Sequence, residues 1–371
     1  MPRPVVITGG GTGGHVFAMQ AIAEALTRAG VAPQRLRYVG SRRGQEADLL
    51  GAGPIALTLL AGRGLRRSVT PRDVASNVLA VSALAWAVLR SAFLVARWRP
   101  AVVVSVGGYA SFPVSAVTAV LGRRLVLVEL DAAPGAAHRL LARRASVRCL
   151  AFDDGSNGVV TGAPVREEIA RIARDAPARR AQRRQMVPPI DEARRVVVVM
   201  TGSLGSARVN AAVVELAAQW ANRADRAVLH VTGRRDYPWV RDALVATGQL
   251  DYRVEAFADM GVLWSVADVA VCRAGATTIA ELTALGIAAV LVPLPRAPGD
   301  HQVKNAQSLA AADAALIVSD DECTGASLAD ALDALLTDGR AERVGEAARR
   351  LGHLDAAAAI AAVVLDVGRV T

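Results

Sequence analysis

Aromatic residues are scarce in this chain, at 4% of 371 residues. That argues against a nucleic-acid binder built on base stacking, which needs aromatic platforms. Cysteine is scarcer still: Cys149, Cys272 and Cys323 are the whole complement, and they have no metal-ligand spacing. An odd, sparse count excludes a disulfide framework and points to a reducing compartment. The opening MPRPVVITGGGTGG lacks a signal-peptide pattern. No apolar run reads as a membrane span, because Val74 to Leu89 is short and Arg90 follows at once. Short repeats and low-complexity tracts are also missing.

What is present is apolar and basic. Hydrophobic residues make up 53% and charged residues 21%, so the chain can bury large cores. At this length two domains are expected rather than one. The net charge is +9, and most of the basic surplus is Arg, the side chain suited to bidentate contact with phosphates or other anions.

Continuous apolar runs alternate with amphipathic stretches. Pro4 to Thr8, Leu36 to Val39, Ala101 to Val106, Leu125 to Glu129 and Val147 to Phe152 read as buried strands of a parallel sheet. An Arg-, Ala- and Pro-rich stretch from Arg166 to Arg195 reads as helix and linker. The strand, glycine turn and helix order then restarts, with strands expected at Arg195 to Met200, Val228 to Thr232, Val269 to Cys272 and Ala289 to Pro293. The restart predicts an α/β protein of two Rossmann-like domains, residues 1–164 and 165–353, facing across a cleft at the strand C-terminal ends. The apolar segment 354–371 is expected to return to the first domain.

Three constellations carry chemistry. Gly9-Gly10-Gly11-Thr12-Gly13-Gly14-His15 lies between a strand and a helix, where glycines let the backbone approach a phosphate at the helix N-terminus. It satisfies G-x-G-x-x-G, which keeps a nicotinamide-dependent oxidoreductase open. The acidic residue expected after the second strand is replaced by Arg42 and Arg43, which could serve a 2′-phosphate. His15 could take a proton from a sugar hydroxyl. Thr201 to Ser206 forms a second glycine turn of the same kind. The third run, Cys272 to Glu281, ends a strand, passes a small-residue turn and opens a helix, placing Glu281 to accept ribose hydroxyls. Downstream, Gly299 to Ala306 is a polar loop entering a helix, placed to read a sugar.

Together these segments resemble the MurG family, glycosyltransferases acting on a lipid-linked peptidoglycan precursor. The resemblance spans nearly the whole chain: GGGTGGHVF at 9–17, VGSRRGQEADLL at 39–50, SVGGYASFPVSAV at 105–117, VTGAPVR at 160–166, HVTGR at 230–234, ADVAVCRAGATTIAEL at 267–282 and GDHQVKNA at 299–306. It implies the GT-B fold, a UDP-sugar donor, inversion at the anomeric carbon, and no metal or other cofactor. It puts Arg166, Gly202, Ser203, Leu204, Gly205 and Asn210 at the donor diphosphate, and Phe257 and Met260 beside the uracil. Glu281 holds the ribose, and Ala276, Thr277, His301 and Gln302 touch the sugar. Thr12, Gly13, Gly14, Tyr109 and His138 fall to a prenyl-phosphate-linked acceptor. His15 is the base, with Glu129 and Asp131 as alternatives.

The chain departs from the family where polar residues face substrate. Val128-Glu129-Leu130-Asp131 stands for a usual His-Glu-Gln-Asn, His138 for an Asn, Leu204 for a Gln, and His301 for the first Gln of a pair. Such changes fit a specialised homologue, such as one building a phosphoglycolipid antibiotic, as well as drift within a cell-wall enzyme. A non-enzymatic sugar-nucleotide or lipid binder is a further alternative. Arg63, Arg66, Arg67 and Arg72 precede an apolar helix bearing Trp86 and Phe93, a pattern expected to dock on an anionic membrane at the inner face of the cell membrane.

Overall fold

The computed structural model describes residues 3–11, 13–61, 71–202, 205–243, 248–295 and 297–370, with the side chains of 71–79 and 298 left undescribed. Thr12, Ser203, Leu204, Arg63, Arg66 and Arg67 therefore lie outside the described residues, as does the side chain of Arg72.

The chain divides into two compact units, Met1–Arg166 with His353–Thr371, and Glu167–Gly352. Among the described residues the strands are β1 (Val5–Thr8), β2 (Leu36–Ser41), β3 (Ala56–Leu60), β4 (Val102–Ser105), β5 (Leu125–Glu129), β6 (Val147–Leu150) and β7 (Val159–Val160) in the first unit. The second unit holds β8 (Arg195–Met200), β9 (Arg226–Val231), β10 (Asp251–Glu255), β11 (Val269–Cys272), β12 (Ala288–Leu291) and β13 (Leu316–Ile317). The two sheets run β3-β2-β1-β4-β5-β6-β7 and β10-β9-β8-β11-β12-β13, and every pairing is parallel. Each is a doubly wound sheet whose order reverses beside its first strand, the place where such sheets take ligands. β1, β4 and β5 are buried along their whole length, as are β11 and β12, because helices cover both faces.

The edge strands β3, β7, β10 and β13 were not read from the sequence. They are half-exposed or short, and lack the continuous apolar signal of central strands. The apolar helix bearing Trp86 and Phe93 runs from Pro71 to Trp98 and continues straight through Arg90. Arg90 lies on the exposed face beside the Phe93 ring, so its charge stays in water and does not end the helix. By length and composition Ala80–Trp98 could cross a membrane. One of its faces nevertheless belongs to the first unit: Ala87, Leu94 and Val95 pack into a core with Val103, Val114, Leu125 and Leu127.

Helix Ala356–Gly368 packs on helix Gly13–Arg28 of the first unit, and Arg124 donates to the Gly368 carbonyl at 2.9 Å. In the second unit the Arg-rich stretch serves as a clamp. Arg174 donates to the carbonyls of Trp264 and Ala267, and Arg183 to that of Val266 and to Asp268 at 2.7 Å. These carbonyls close the C-terminal end of helix Met260–Val266, where cations are favoured. Burial pushes the Arg174 guanidinium down to about 9.

Candidate active site

In the first unit the glycine run follows β1 and feeds helix Gly13–Arg28, which carries His15 in its first turn. Only glycine fits here. A Cβ on Gly9 would lie 2.2 Å from Val106 Cγ2, and one on Gly11, where φ is +96°, 2.7 Å from the Tyr109 ring. On the other side Glu46 is fully buried beneath the turn, and its Oε1 accepts from Gly11 N–H at 3.1 Å and Ser41 N–H at 2.9 Å. A buried carboxylate taking a loop N–H disfavours a dinucleotide diphosphate at that point, so the G-x-G-x-x-G match does not carry the oxidoreductase reading. Tyr109 is 37% exposed and donates from its hydroxyl to Ser41 Oγ at 3.2 Å.

His15 is half-buried, and its Nε2 lies 3.4 Å from where a Cβ on Gly107 would stand. His138 faces the same point, with its Cε1 3.7 Å away. The structure places His138 and Glu129 differently from the sequence reading. His138 is only 2% exposed: its Nδ1 meets Glu129 Oε2 at 2.9 Å and its Nε2 meets Ser105 Oγ at 2.9 Å. Both ring nitrogens are engaged and the ring is enclosed, so it is not placed to bind an acceptor. Glu129 is 5% exposed and also faces Arg148 Nε at 3.8 Å. Asp131, just past β5, is half-buried. Arg166 closes the first unit with its guanidinium 4.6 Å from the Phe17 ring, in the same glycine-led helix as His15.

In the second unit the turn after β8 is pinned from below. Gly202 and Gly205 have φ of +86° and +76°, and a Cβ on Gly205 would lie 2.6 Å from the Thr232 carbonyl and 2.7 Å from Asp236. Asn210 stands under this turn. It is fully buried, its Nδ2 donates to the Thr232 carbonyl at 3.0 Å and to Asp236 Oδ2 at 2.9 Å, and its Oδ1 meets His230 Nε2 at 2.9 Å. Its amide is engaged on both atoms inside the protein. Both partners of Nδ2 are acceptors, so Oδ1 must accept, which fixes the His230 proton on Nε2. His230 Nδ1 then accepts from the Tyr252 hydroxyl at 2.6 Å. Burial pushes the His230 imidazole down to about 3, so it is neutral at physiological pH.

Helix Ala207–Gln219 starts after Ser206, whose hydroxyl accepts from Arg273 at 2.6 Å. Arg273 also donates to the Val292 carbonyl at 3.0 Å and pairs with Asp320 at 2.6 Å, tying β11, β12 and the glycine turn together. Helix Ala276–Leu285 presents half-buried Ala276 and Thr277 in its first turn and Glu281 one turn deeper. Glu281 is 4% exposed, and its Oε2 accepts from the Trp264 indole N–H at 2.8 Å. Gln302 Oε1 accepts from Leu294 N–H at 2.9 Å, and His301 opens the same helix, His301–Ala310. Met260 starts helix Met260–Val266, and Phe257 stands 65% exposed with Arg234 5.9 Å from its ring centre. An exposed aromatic beside a cation is a platform for a flat, electron-rich ring.

Glu46, Ser105, His230 and Trp264 were missed in the sequence. Each acts through a partner at least 17 residues away, which no local spacing reveals. The three cysteines are buried and free, and burial pushes the thiols of Cys149 and Cys272 up to about 12, which disfavours the reactive thiolate.

The chain matches the glycosyltransferase family 28 N-terminal domain over residues 5–147 and the glycosyltransferase family 28 C-terminal domain over residues 196–360. It is 38% identical to the UDP-N-acetylglucosamine–N-acetylmuramyl-(pentapeptide) pyrophosphoryl-undecaprenol N-acetylglucosamine transferase of Alkalilimnicola ehrlichii, covering 100% of both chains. The protein of the same name from Desulforudis audaxviator is 34% identical, with 91% of this chain and 90% of that one aligned. The crystal structure of Acinetobacter baumannii MurG superposes with a TM-score of 0.77 at 25% identity, over 98% of this chain and 100% of that one. The calicheamicin glycosyltransferase CalG4 shares the fold, with a TM-score of 0.67 at 16% identity over 100% of both chains.

Proposed function

The chain belongs to the MurG family within glycosyltransferase family 28, a UDP-sugar glycosyltransferase of GT-B fold, and from that premise we propose that it moves N-acetylglucosamine from its UDP derivative to a pyrophosphoryl-prenol-linked muramyl acceptor. The observation that carries the substrate assignment is end-to-end similarity at 38% identity to a transferase of that name.

In this reading the donor sits in the second unit. The N-terminus of helix Ala207–Gln219 and the turn at Gly202 and Gly205 take the diphosphate. Phe257 and Met260 flank the base. Glu281, held by Trp264, accepts from the ribose hydroxyls. Ala276, Thr277, His301 and Gln302 line the sugar. Arg166 adds positive charge for the departing diphosphate. Gly13, Gly14 and Tyr109 belong to the acceptor, and His15 takes the proton of its attacking hydroxyl, with Asp131 as the alternative base. The acceptor oxygen bonds to the anomeric carbon as the bond to UDP breaks, so the configuration inverts, and UDP leaves with its charge met by N–H dipoles.

A peripheral membrane site suits a prenyl-linked acceptor. Val81, Trp86, Leu89 and Phe93 form an exposed apolar stripe on helix Pro71–Trp98, with Arg90 and Arg97 beside it. Val120, Leu121 and Leu140 are exposed on helices of the same unit. Such an apolar stripe with basic neighbours is what an anionic lipid surface attracts. That supports a place on the cytoplasmic face of the cell membrane.

Replacing His15 tests the chemistry. His15→Ala is expected to lower kcat by about 10²–10⁴-fold while UDP affinity, read by calorimetry, stays the same. Full turnover in the variant would move the base to Asp131.

A further inference from the structure

Ser105, His138 and Glu129 form a closed line beneath the first unit's glycine turns. Ser105 ends β4, Glu129 ends the neighbouring β5, and His138 on helix Ala136–Leu141 bridges them at 2.9 Å on each side. All three are buried, with Ser105 fully so. The carboxylate accepts, so it fixes the His138 proton on Nδ1, and in the neutral ring Nε2 accepts from the Ser105 hydroxyl. The arrangement matches a nucleophile, base and acid in order, yet the fully enclosed Ser105 cannot reach a substrate. Its product is geometry. Two residues beyond Ser105 comes Gly107, at φ +92°, followed by Gly108 at +77° with its α-carbon against the Gly10 carbonyl. Both the His138 and the His15 imidazoles face the space that a side chain on Gly107 would fill.

We propose, resting on the assignment of His15 as the base, that His138 is a positioning residue for the transfer: held between Ser105 and Glu129, it fixes the Gly107–Gly108 turn that the His15 imidazole faces across the space a Gly107 side chain would fill. Without the bridge, the ends of β4 and β5 lose their shared partner, the buried Ser105 hydroxyl and Glu129 Oε2 each lose a hydrogen bond, and the turn shifts. A displacement of about 1 Å at a reacting group can cost on the order of 10²-fold in rate. Glu129→Gln keeps an acceptor for Nδ1–H and is expected to lose less than Glu129→Ala.

The test is a double-mutant cycle read in kcat and in the KM for the UDP-sugar. Ser105→Ala and His138→Ala are each expected to lower kcat by about 10- to 100-fold, leave the donor KM unchanged, and cause no further loss when added to His15→Ala. Should His138→Ala not fold, Ser105→Ala, which removes one enclosed oxygen, carries the test alone. Losses that multiply on top of His15→Ala, or an unchanged kcat in both single variants, overturn the positioning role while leaving His15 as the base. Full activity in His15→Ala alone is the separate result that overturns the base assignment and this role with it.

Discussion

Two buried residues of the second unit, Glu281 and His230, carry predictions about ligand and about pH. Glu281 offers a carboxylate fixed by the Trp264 indole, so its accepting edge is set before ligand arrives. Glu281→Ala is expected to weaken UDP binding by about 1–3 kcal/mol, the range for a hydrogen bond to a charged group, and calorimetry with UDP reads it. Unchanged affinity in a folded variant would place the ribose elsewhere. His230 acts on stability. Its imidazole is pushed from 6.5 down to about 3 by burial, so the folded state takes up its proton later than the unfolded chain does. The stability it confers is therefore complete above pH 6.5 and declines as pH falls from 6.5 toward 3, by up to about 1.4 kcal/mol per pH unit. Denaturant unfolding at pH 7 and pH 5 should show that loss, and His230→Phe, which cannot titrate, should flatten the slope while lowering stability at pH 7. An equal slope in the variant would assign the decline to other groups.

At the scale of elements, the exposed stripe of helix Pro71–Trp98 and the glycine turns divide the work. Trp86→Ser with Phe93→Ser removes two side chains that are 63% and 55% exposed, so the fold should lose little. Sedimentation with anionic vesicles is expected to fall several-fold in this variant, and UDP affinity to stay the same. Equal vesicle binding would free this face for another role. The central strands and the helices that follow the glycine turns were legible because each carries an unbroken apolar run or a strand, glycine and helix order. The edge strands were not legible, since a strand with one covered flank and few buried side chains has no such run. The same limit separated ligand-facing from supporting residues. Asn210 and His138 sit within segments that resemble the family's site, but whether an amide or imidazole points to substrate or to the protein depends on His230, Asp236, Ser105 and Glu129, which come from other elements.

The whole molecule repeats one solution, a parallel sheet with a glycine turn at its switch point, and gives the two copies different surroundings. In the first, Glu46 occupies the turn's N–H and Tyr109 its flank. In the second, the turn lies over a buried network in which Asn210 joins His230, the Thr232 carbonyl and the Arg235-paired Asp236 carboxylate, and it opens a helix N-terminus, the kind of end that favours an anion. In the proposed reading, charge on the leaving UDP is met by N–H dipoles and arginine; among the described residues no group of three His, Cys, Asp or Glu could hold an ion. Transfer is expected to persist in EDTA, and activity lost to chelator and restored by magnesium or manganese would contradict this. The central claim is tested most directly by a transfer assay that follows both products, with a panel of UDP-sugars and a short-chain prenyl diphosphate-linked muramyl acceptor. The account predicts that UDP-N-acetylglucosamine is used, that one UDP is released for each acceptor glycosylated, and that the new linkage is inverted relative to the donor. UDP release without glycosylated acceptor, or retention of the anomeric configuration, would contradict it.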